Sequence, residues 1–256
     1  MKITIIIPCY NESERLPAAD FRRFMDAHPE ISFVMANDGS RDNTLEVLND
    51  IAKDYPQMEV FDGGENRGKA HIVQAAMRHV LDNTDSDYVG FFDADLATPL
   101  EEILKFKTVL EEKGNLLLIC GSRIQRLGSN IRRKWLRHYF GRTFATAVSN
   151  ILCLPVYDTQ CGAKILSREA AAAAIQEPFI SKWFFDVEIF ARIITEIGYK
   201  ECVDRCFEYP LDTWIEKGDT RLTTKDFLRT PVELLRLNKK YHKAVKKQYE
   251  NCIFAV

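Results

Sequence analysis

Two aspartates that follow an apolar run are the residues best suited to carry chemistry. Asp93 and Asp95 come directly after residues 88–92, a run too short for a helix and typical of a buried strand. Pro99 and the acidic residues after it predict the first turn of a helix. Open α/β sheets bind ligands at the carboxyl ends of their strands, and paired carboxylates there suit Mg²⁺ or Mn²⁺ with substrate phosphates. The alternative is a strand cap and a turn residue, the commoner outcome for an isolated Asp-x-Asp.

The composition is that of an ordinary folded protein with one large domain or two small ones. The chain has 256 residues, of which 46% are hydrophobic and 28% are charged, and its net charge is −2. This balance argues against a protein that binds nucleic acid through its overall charge. The seven cysteines are scattered and odd in number, so we expect buried thiols in a reducing compartment rather than disulfides or a zinc site.

The amino-terminal residues resemble a first strand rather than a signal peptide. Polar Asn11 and Glu12 follow the short apolar run at once, without a small-residue cleavage site. No uninterrupted apolar stretch of about 18 residues occurs, so no membrane-spanning helix is expected. We therefore expect a cytoplasmic protein, with peripheral binding to the cytoplasmic face of a membrane as an open alternative.

Apolar runs and helical patterns alternate along the first half of the chain. Strands are predicted at residues 3–7, 31–36, 59–61, 88–92 and 116–120. Helices are predicted between them at residues 13–27, 43–53, 70–81 and 100–112. The alternation predicts an α/β fold with a mainly parallel central sheet and helices on both faces.

The loops after the first two predicted strands carry aromatic and polar side chains. The first loop lacks the Gly-x-Gly-x-x-Gly pattern, which argues against a nicotinamide or flavin dehydrogenase. It offers Tyr10, whose ring can stack on a base, and Glu12, whose carboxylate can accept hydrogen bonds from ribose or a base. In the second loop, Asp38 can accept from a ring N–H, or it can serve turn and cap chemistry with Ser40.

Six motifs in fixed order carry a resemblance to a known family. They are PCYNE at 8–12, NDGSRDNT at 37–44, ENRGKA at 65–70, FFDADLATP at 91–99, DTQCGAK at 158–164 and KWFFDVE at 182–188. The set resembles the inverting family 2 glycosyltransferases of GT-A fold. Within that family it is most similar to the polyprenyl-phosphate sugar synthases, which include the dolichyl-phosphate β-glucosyltransferases and mannosyltransferases.

The resemblance implies a division of the chain and a reaction. It implies a GT-A catalytic domain at 1–223, with a donor nucleotide half at 1–123 and an acceptor half at 124–223, and a basic amphipathic tail at 224–256. The implied reaction moves a hexose, glucose from UDP-glucose, to a polyprenyl or dolichyl phosphate with inversion. Mannosyl relatives often carry Gln where this chain has Ala97, which favours the glucosyl type.

The resemblance also assigns residues to the donor. The nucleotide-binding residues are expected to be Pro8, Tyr10, Glu12, Asp38, Lys69 and Asp93. Asp95 is expected to contact the Mg²⁺ or Mn²⁺ directly, with Asp93 beside it. A leaving diphosphate needs its growing negative charge stabilised, and Arg123 occupies the family's Gly-Ser-Arg position suited to this. The alternative for Arg123 is an exposed salt bridge, since most arginines lie on the surface.

A long stretch without acidic residues follows. Residues 113–157 contain eight basic residues and an apolar pattern at three- and four-residue steps, which predicts an amphipathic helix. A core-facing helix with a solvated face is the usual explanation, but one-sided charge with aromatic residues is typical of helices at a membrane surface. Arg132 and Arg133 are our candidates for the acceptor phosphate. No nucleic-acid partner is expected, because no known binding module is present.

Four further residues are assigned to catalysis or the acceptor. Asp186 and Glu188 occupy the position where family members that act on hydroxyls carry a general base. A phosphate acceptor already carries an oxyanion, since its second pKa is about 6, and then these carboxylates orient substrate instead. Gln160 and Arg221 are expected to line the acceptor side. A transferase acting on a sugar hydroxyl, or a catalytically silent sugar-nucleotide-binding protein, remain the alternatives.

Overall fold

A mainly parallel sheet lies at the centre of the protein, which the computed structural model describes at residues 1–132, 135–217 and 224–254. The strands of these residues are β1 (Ile3–Cys9), β2 (Ile31–Asn37), β3 (Met58–Asp62), β4 (Tyr88–Phe92), β5 (Leu118–Ser122), β6 (Asn130–Arg132), β7 (Ala163–Ser167), β8 (Cys206–Pro210) and β9 (Thr213–Ile215). Seven of them form the central sheet in the order β3-β2-β1-β4-β7-β5-β8, and β6 pairs with β9.

Helices cover both faces of this sheet. They are α1 (Ala18–Ala27), α2 (Thr44–Ala52), α3 (Lys69–Asn83), α4 (Glu101–Lys113), α5 (Trp135–Leu152), α6 (Arg168–Ala174), α7 (Phe185–Glu196), α8 (Tyr199–Arg205), α9 (Thr224–Leu237) and α10 (Lys243–Ile253). One apolar core joins the sheet to α3, α6 and α7, and another joins its opposite face to α1, α2 and α4. The predicted fold class is confirmed.

Strand β7 departs from the parallel arrangement. It runs antiparallel to both β4 and β5 and separates them, whereas β1 pairs in parallel with β2 and β4. The sequence pattern does not predict β7, because its position depends on partners about 75 and 45 residues earlier in the chain. The insertion brings the DTQCGAK segment directly beside the end of β4.

The first helix begins later than its pattern predicts. The prediction of a helix from residue 13 is wrong, because Pro17 lacks an N–H and is tolerated only in a first helical turn. The residues before it form a turn instead, in which the N–H groups of Arg15 and Leu16 donate to the carbonyl of Glu12. Helix α1 therefore starts at Ala18 and leaves the loop after β1 free to fold over the sheet edge.

The carboxyl-terminal helices pack on the same core as α7. A π-helical turn at Asn238–His242 joins α9 to α10, and α10 contacts α7 and α8. Tyr241 and Val245 are buried there. In the described residues, no helix is both long and apolar enough to cross a membrane.

Gly90 in the middle of β4 allows close packing of two strands. A Cβ atom there would lie 2.6 Å from the backbone oxygen of Lys164 and 2.9 Å from side-chain atoms of Ile5 and Ile165. The backbone oxygen belongs to the neighbouring strand and cannot move without breaking the pairing of β4 with β7.

We expect Gly90→Ala to lower the free energy of unfolding by about 1–3 kcal/mol, as is usual for an overpacked core. Urea denaturation followed by circular dichroism measures this change. Glu112→Ala, on the exposed surface of α4, serves as the control and should change the free energy little. An unchanged midpoint for Gly90→Ala would contradict the packing argument.

Candidate active site

The predicted carboxylate pair lies at the carboxyl end of β4, in a tightly constrained turn. Leu96 adopts a positive φ of 51°, which is uncommon for a leucine and typical of functional turns. Asp95 Oδ1 accepts the backbone N–H of Ala97 at 2.9 Å, and the carbonyl of Ala97 accepts from Ile215 of β9 at 3.1 Å. The direction of the Asp95 carboxylate is therefore fixed by a backbone contact within the turn.

Lys69 stands between this pair and a third carboxylate. It is the first residue of α3, and its Nζ donates to Asp93 Oδ1 at 2.5 Å. Burial alone would lower the pKa of the Lys69 ammonium, but the charges of the surrounding carboxylates, Asp93, Asp186 and Asp95, outweigh this effect and raise it. Lys69 is thus brought together with the carboxylate pair, and its predicted contact with a nucleotide stays a prediction.

Asp95 lies in an environment that disfavours its negative charge. Partial burial, with the like charge of Asp93, raises the pKa of the Asp95 carboxyl, while the Ala97 N–H and the charges of Lys69 and Lys217 act in the opposite direction. A divalent cation would relieve this repulsion, so the donor set fits Mg²⁺ or Mn²⁺. In the described part of the chain no group of three or more His, Cys, Asp or Glu side chains is suited to hold a metal. Water and substrate oxygens would therefore complete the coordination.

Gly162 gives Asp93 its place. The residue immediately precedes β7, and a Cβ atom built on it would lie 1.9 Å from Oδ2 of Asp93. The carboxylate rests directly against the glycine backbone, which no other residue type permits. The glycine of the Gln-Cys-Gly motif therefore packs directly against the first aspartate of the Asp-x-Asp motif.

Arg123 is already paired within the protein. Its Nε and Nη2 atoms each donate to Asp158 at 2.7 Å, and its backbone N–H donates to the same carboxylate at 3.0 Å. Burial opposes the charge of this guanidinium, but Asp158 outweighs it and raises the pKa of Arg123 above its ordinary value. Glu208 in turn accepts the backbone N–H groups of Tyr157 and Asp158. The alternative given for Arg123 is right about a salt bridge but wrong about its exposure, because the Arg123 side chain is only 17% exposed.

The side chains of Asp186 and Glu188 contact different partners, although the residues are only two positions apart. Oδ1 of Asp186 accepts from the ammonium of Lys164 at 2.6 Å, and its charge acts on Lys69. Glu188 is fully buried and accepts from the backbone N–H of Ser181 and from Arg192, which lies one turn further along α7. The structure therefore brings Asp186, and not Glu188, together with the carboxylate pair.

The predicted nucleotide residues lie in loops that are tied to one another. Asp38 is buried, and its two oxygens accept the backbone N–H groups of Arg67 and Gly68 at 3.0 and 2.9 Å. Gly39 has a φ of 60°, and a Cβ there would lie 2.5 Å from the backbone nitrogen of Asn66. Asp38 thus holds the start of α3, which carries Lys69, and its predicted contact with the base stays a prediction.

The remaining donor residues lie beside these loops. Pro8 belongs to β1 and is half-buried, Tyr10 is half-buried after it, and Glu12 is buried. The Glu12 backbone N–H donates to Thr44 Oγ1 at 2.8 Å, which fixes this loop to the start of α2. All three residues border the same sheet edge as Asp93.

The predicted acceptor residues are described only in part. The buried Nε2 atom of Gln160 has no hydrogen-bond partner among the described residues, and its predicted contact with the acceptor stays a prediction. Arg132 ends β6, but its side chain, Arg133 and Arg221 lie outside the described residues. Their roles at the acceptor stay predictions.

Sequence reasoning assigned no role to Asp158 and Lys164. Both belong to the DTQCGAK motif, and both are buried partners of predicted site residues. A lysine within the apolar run AKIL is itself a signal, because a buried charge requires a partner.

Comparison with known proteins agrees with this geometry. The glycosyl transferase family 2 model matches residues 4–173. A dolichyl-phosphate beta-glucosyltransferase of Trichomonas vaginalis is 28% identical over 246 residues, which cover 91% of this chain and 70% of the relative. A dolichyl-phosphate beta-glucosyltransferase of Dictyostelium discoideum is 29% identical, over 73% of this chain and 60% of the relative.

Two solved structures share the fold. Glucosyl-3-phosphoglycerate synthase from Mycobacterium tuberculosis, in complex with Mn²⁺, UDP and glucosyl-3-phosphoglycerate, gives a TM-score of 0.61 at 14% identity, over 96% of this chain and 79% of that one. Mannosyl-3-phosphoglycerate synthase from Rubrobacter xylanophilus gives a TM-score of 0.63 at 13% identity, over 93% of this chain and 72% of that one. Since the family model matches well over half of the chain, the protein belongs to glycosyl transferase family 2 and is a glycosyltransferase of GT-A fold.

Proposed function

We propose that the protein transfers glucose from UDP-glucose to a polyprenyl phosphate with inversion, and that it requires Mg²⁺ or Mn²⁺. The observation that carries this proposal is the grouping of Asp93, Asp95, Lys69 and Asp186 at one end of β4. The donor and acceptor classes are supported by the relatives, which are named dolichyl-phosphate beta-glucosyltransferases. Their similarity extends over most of this chain.

We assign two of the carboxylates to the cation at the donor diphosphate and the third to the transferred sugar. Asp93 and Asp95 would hold the cation, which supplies positive charge to the leaving diphosphate. Lys69 adds a fixed ammonium next to the same site. Arg123 is neutralised by Asp158, so we assign it to order the loop after β5 rather than to bind the diphosphate.

The ion pair of Asp186 with Lys164 favours an acceptor that is already ionised. One oxygen of Asp186 is occupied by the buried Lys164 ammonium, so we assign this carboxylate to orient sugar hydroxyls rather than to remove a proton. A phosphate monoester needs no base, because it carries an oxyanion at neutral pH. This oxygen forms the new bond to the anomeric carbon on the face opposite the departing UDP, which gives inversion.

Charge and exposure in the carboxyl-terminal helices fit a lipid acceptor. Val232 and Leu235 on α9 are 50% and 67% exposed, and the exposed basic residues Arg229 and Arg236 lie on the same helix. Basic residues beside exposed apolar ones favour an anionic membrane surface. We assign residues 1–123 to the donor, 124–223 to the acceptor and 224–256 to this surface, at the cytoplasmic face of the membrane.

The proposal is tested by incubating the protein with UDP-glucose, Mg²⁺ or Mn²⁺ and a polyprenyl phosphate in detergent. We expect UDP release that depends on the lipid, together with a glucosylated lipid phosphate seen by mass spectrometry. The unphosphorylated polyprenol is the matched control acceptor and should give no product. Equal UDP release with a free sugar and without lipid would instead favour transfer to a hydroxyl.

We expect Asp95→Asn to reduce lipid-dependent transfer by about 100-fold or more, because a charged ligand of the cation is lost. The same change should leave the melting temperature equal or higher. A carboxylate whose pKa is raised in the folded state destabilises the protein at pH values above that pKa. The uncharged asparagine side chain removes this destabilisation. Asp50→Asn, exposed on α2, is the control for both measurements. Retained activity of Asp95→Asn in the presence of chelator would contradict the role of the metal.

We expect Gly162→Ala to reduce kcat/KM by about 100-fold at low metal concentration, because the added methyl group displaces the Asp93 carboxylate. Higher Mn²⁺ should be needed for half-maximal activity, which a metal titration measures. Gly114→Ala is a control for lost stability alone: no atom lies within 4 Å of the added Cβ, but the φ of 57° disfavours alanine, so the melting temperature should fall while the metal requirement stays the same. An unchanged metal requirement would show that Asp93 does not depend on this contact.

A further inference from the structure

Lys164 is a charged residue in the interior of the central sheet. It lies in β7, directly opposite Phe91 of β4 and Cys120 of β5, and no part of its side chain is exposed. A lone ammonium in such a position is strongly unfavourable, so its retention calls for specific partners.

The ammonium of Lys164 joins two segments that border the active site. It donates to the carbonyl of Cys161 at 2.5 Å and to Oδ1 of Asp186 at 2.6 Å, and it lies 5.3 Å from the centre of the Phe91 ring. The first partner belongs to the loop before β7, and the second lies in the first turn of α7.

Both segments carry parts of the site. The loop before β7 contains Asp158, which pairs with Arg123, and Gly162, against which Asp93 rests. Asp186 contributes to the electrostatic environment of Lys69. One buried cation therefore sets the positions of groups on two sides of the carboxylate pair.

Helix α7 is anchored to the core without this contact. Arg192 donates to Glu188 and to the carbonyls of Ala174, Glu177 and Pro178, and several apolar residues of α7 are fully buried. A structural helix anchor is thus already present one turn further along α7. What Lys164 adds is the placement of the Asp186 carboxylate.

We infer that Lys164 is a positioning residue for the transfer reaction, which acts by holding Asp186 and the Cys161 carbonyl in place and does not touch the substrate. The inference rests on the proposed function in one respect, namely that Asp186 serves the transferred sugar. It predicts that the effects of changing Lys164 and Asp186 on activity are not additive.

The test is a double-mutant cycle of Lys164→Met, Asp186→Asn and the two changes combined. Each protein is assayed for kcat/KM in lipid-dependent UDP release and for its melting temperature. We expect Lys164→Met and Asp186→Asn each to lose about 100-fold in kcat/KM, and the double variant to lie within about threefold of Asp186→Asn. Methionine and asparagine keep the approximate shapes while removing both charges, so the double variant avoids an unpaired buried carboxylate.

Arg168→Met is the matched control at the opposite edge of the sheet. Arg168 donates to the carbonyls of Leu81, Thr84 and Ser86, so its loss should lower the melting temperature without changing kcat/KM. A change that only lowers stability is therefore recognised by a lower melting temperature with unchanged kcat/KM. If Lys164→Met alone does not fold, Lys164→Gln takes its place in the cycle, because a folded single variant at position 164 with wild-type kcat/KM would contradict the inference.

Two further results would overturn the inference. One is a double variant at least tenfold less active than Asp186→Asn, and the other is a double variant that does not fold while Asp186→Asn does. A wild type that releases no UDP would contradict the proposed function instead. The cycle would then be scored on the gain in melting temperature with UDP-glucose and Mn²⁺, which needs no acceptor.

Discussion

Holding carboxylates of like charge close together at the end of a buried strand is the constraint on which the rest of this site depends. Partial burial disfavours the negative charge of Asp95 and the like charge of Asp93 adds to this effect, so the pKa of Asp95 is raised. The fold compensates locally with the ammonium of Lys69 and with the close approach of Gly162, which leaves room for the Asp93 carboxylate. The antiparallel insertion of β7 between β4 and β5 makes this approach possible, because it brings Gly162 to the end of β4.

The same logic explains why so many charged side chains of this site are buried in pairs. Arg123 with Asp158 and Lys164 with Asp186 are ion pairs whose partners approach one another from separate elements. Such pairs contribute little net stability compared with apolar residues of equal size, but they fix relative positions, since an unpaired member would be costly. Here their value lies in geometry. The first pair joins the loop after β5 to the loop before β7, and the second joins β7 to α7.

The sequence predicts the first half of this fold well because the information there is local. Strands β1 to β4 are short apolar runs whose ends are marked by polar loops, and the Asp-x-Asp pair falls where the pattern places it. The pairing of Arg123 with Asp158 joins residues 35 positions apart, and that of Lys164 with Asp186 joins residues 22 apart. No periodic pattern contains such pairings. They depend on β7 running antiparallel, which only the assembled sheet decides.

The charge of the assembled group bears on how the donor enters. Among the side chains joined by these direct contacts, the carboxylates of Asp93, Asp95 and Asp186 and the ammonium groups of Lys69 and Lys164 leave one net negative charge in this cluster, since Arg123 is cancelled by Asp158. Lys217 also acts on Asp95, but more weakly than Lys69 does. A free diphosphate would meet an unfavourable field there, and a divalent cation would meet a favourable one. With the cation present, the sign of the cluster reverses and suits the diphosphate. If the proposed donor and cation bind here, this charge balance couples their binding, because the pairing of Arg123 with Asp158 leaves that guanidinium unable to offset the diphosphate charge.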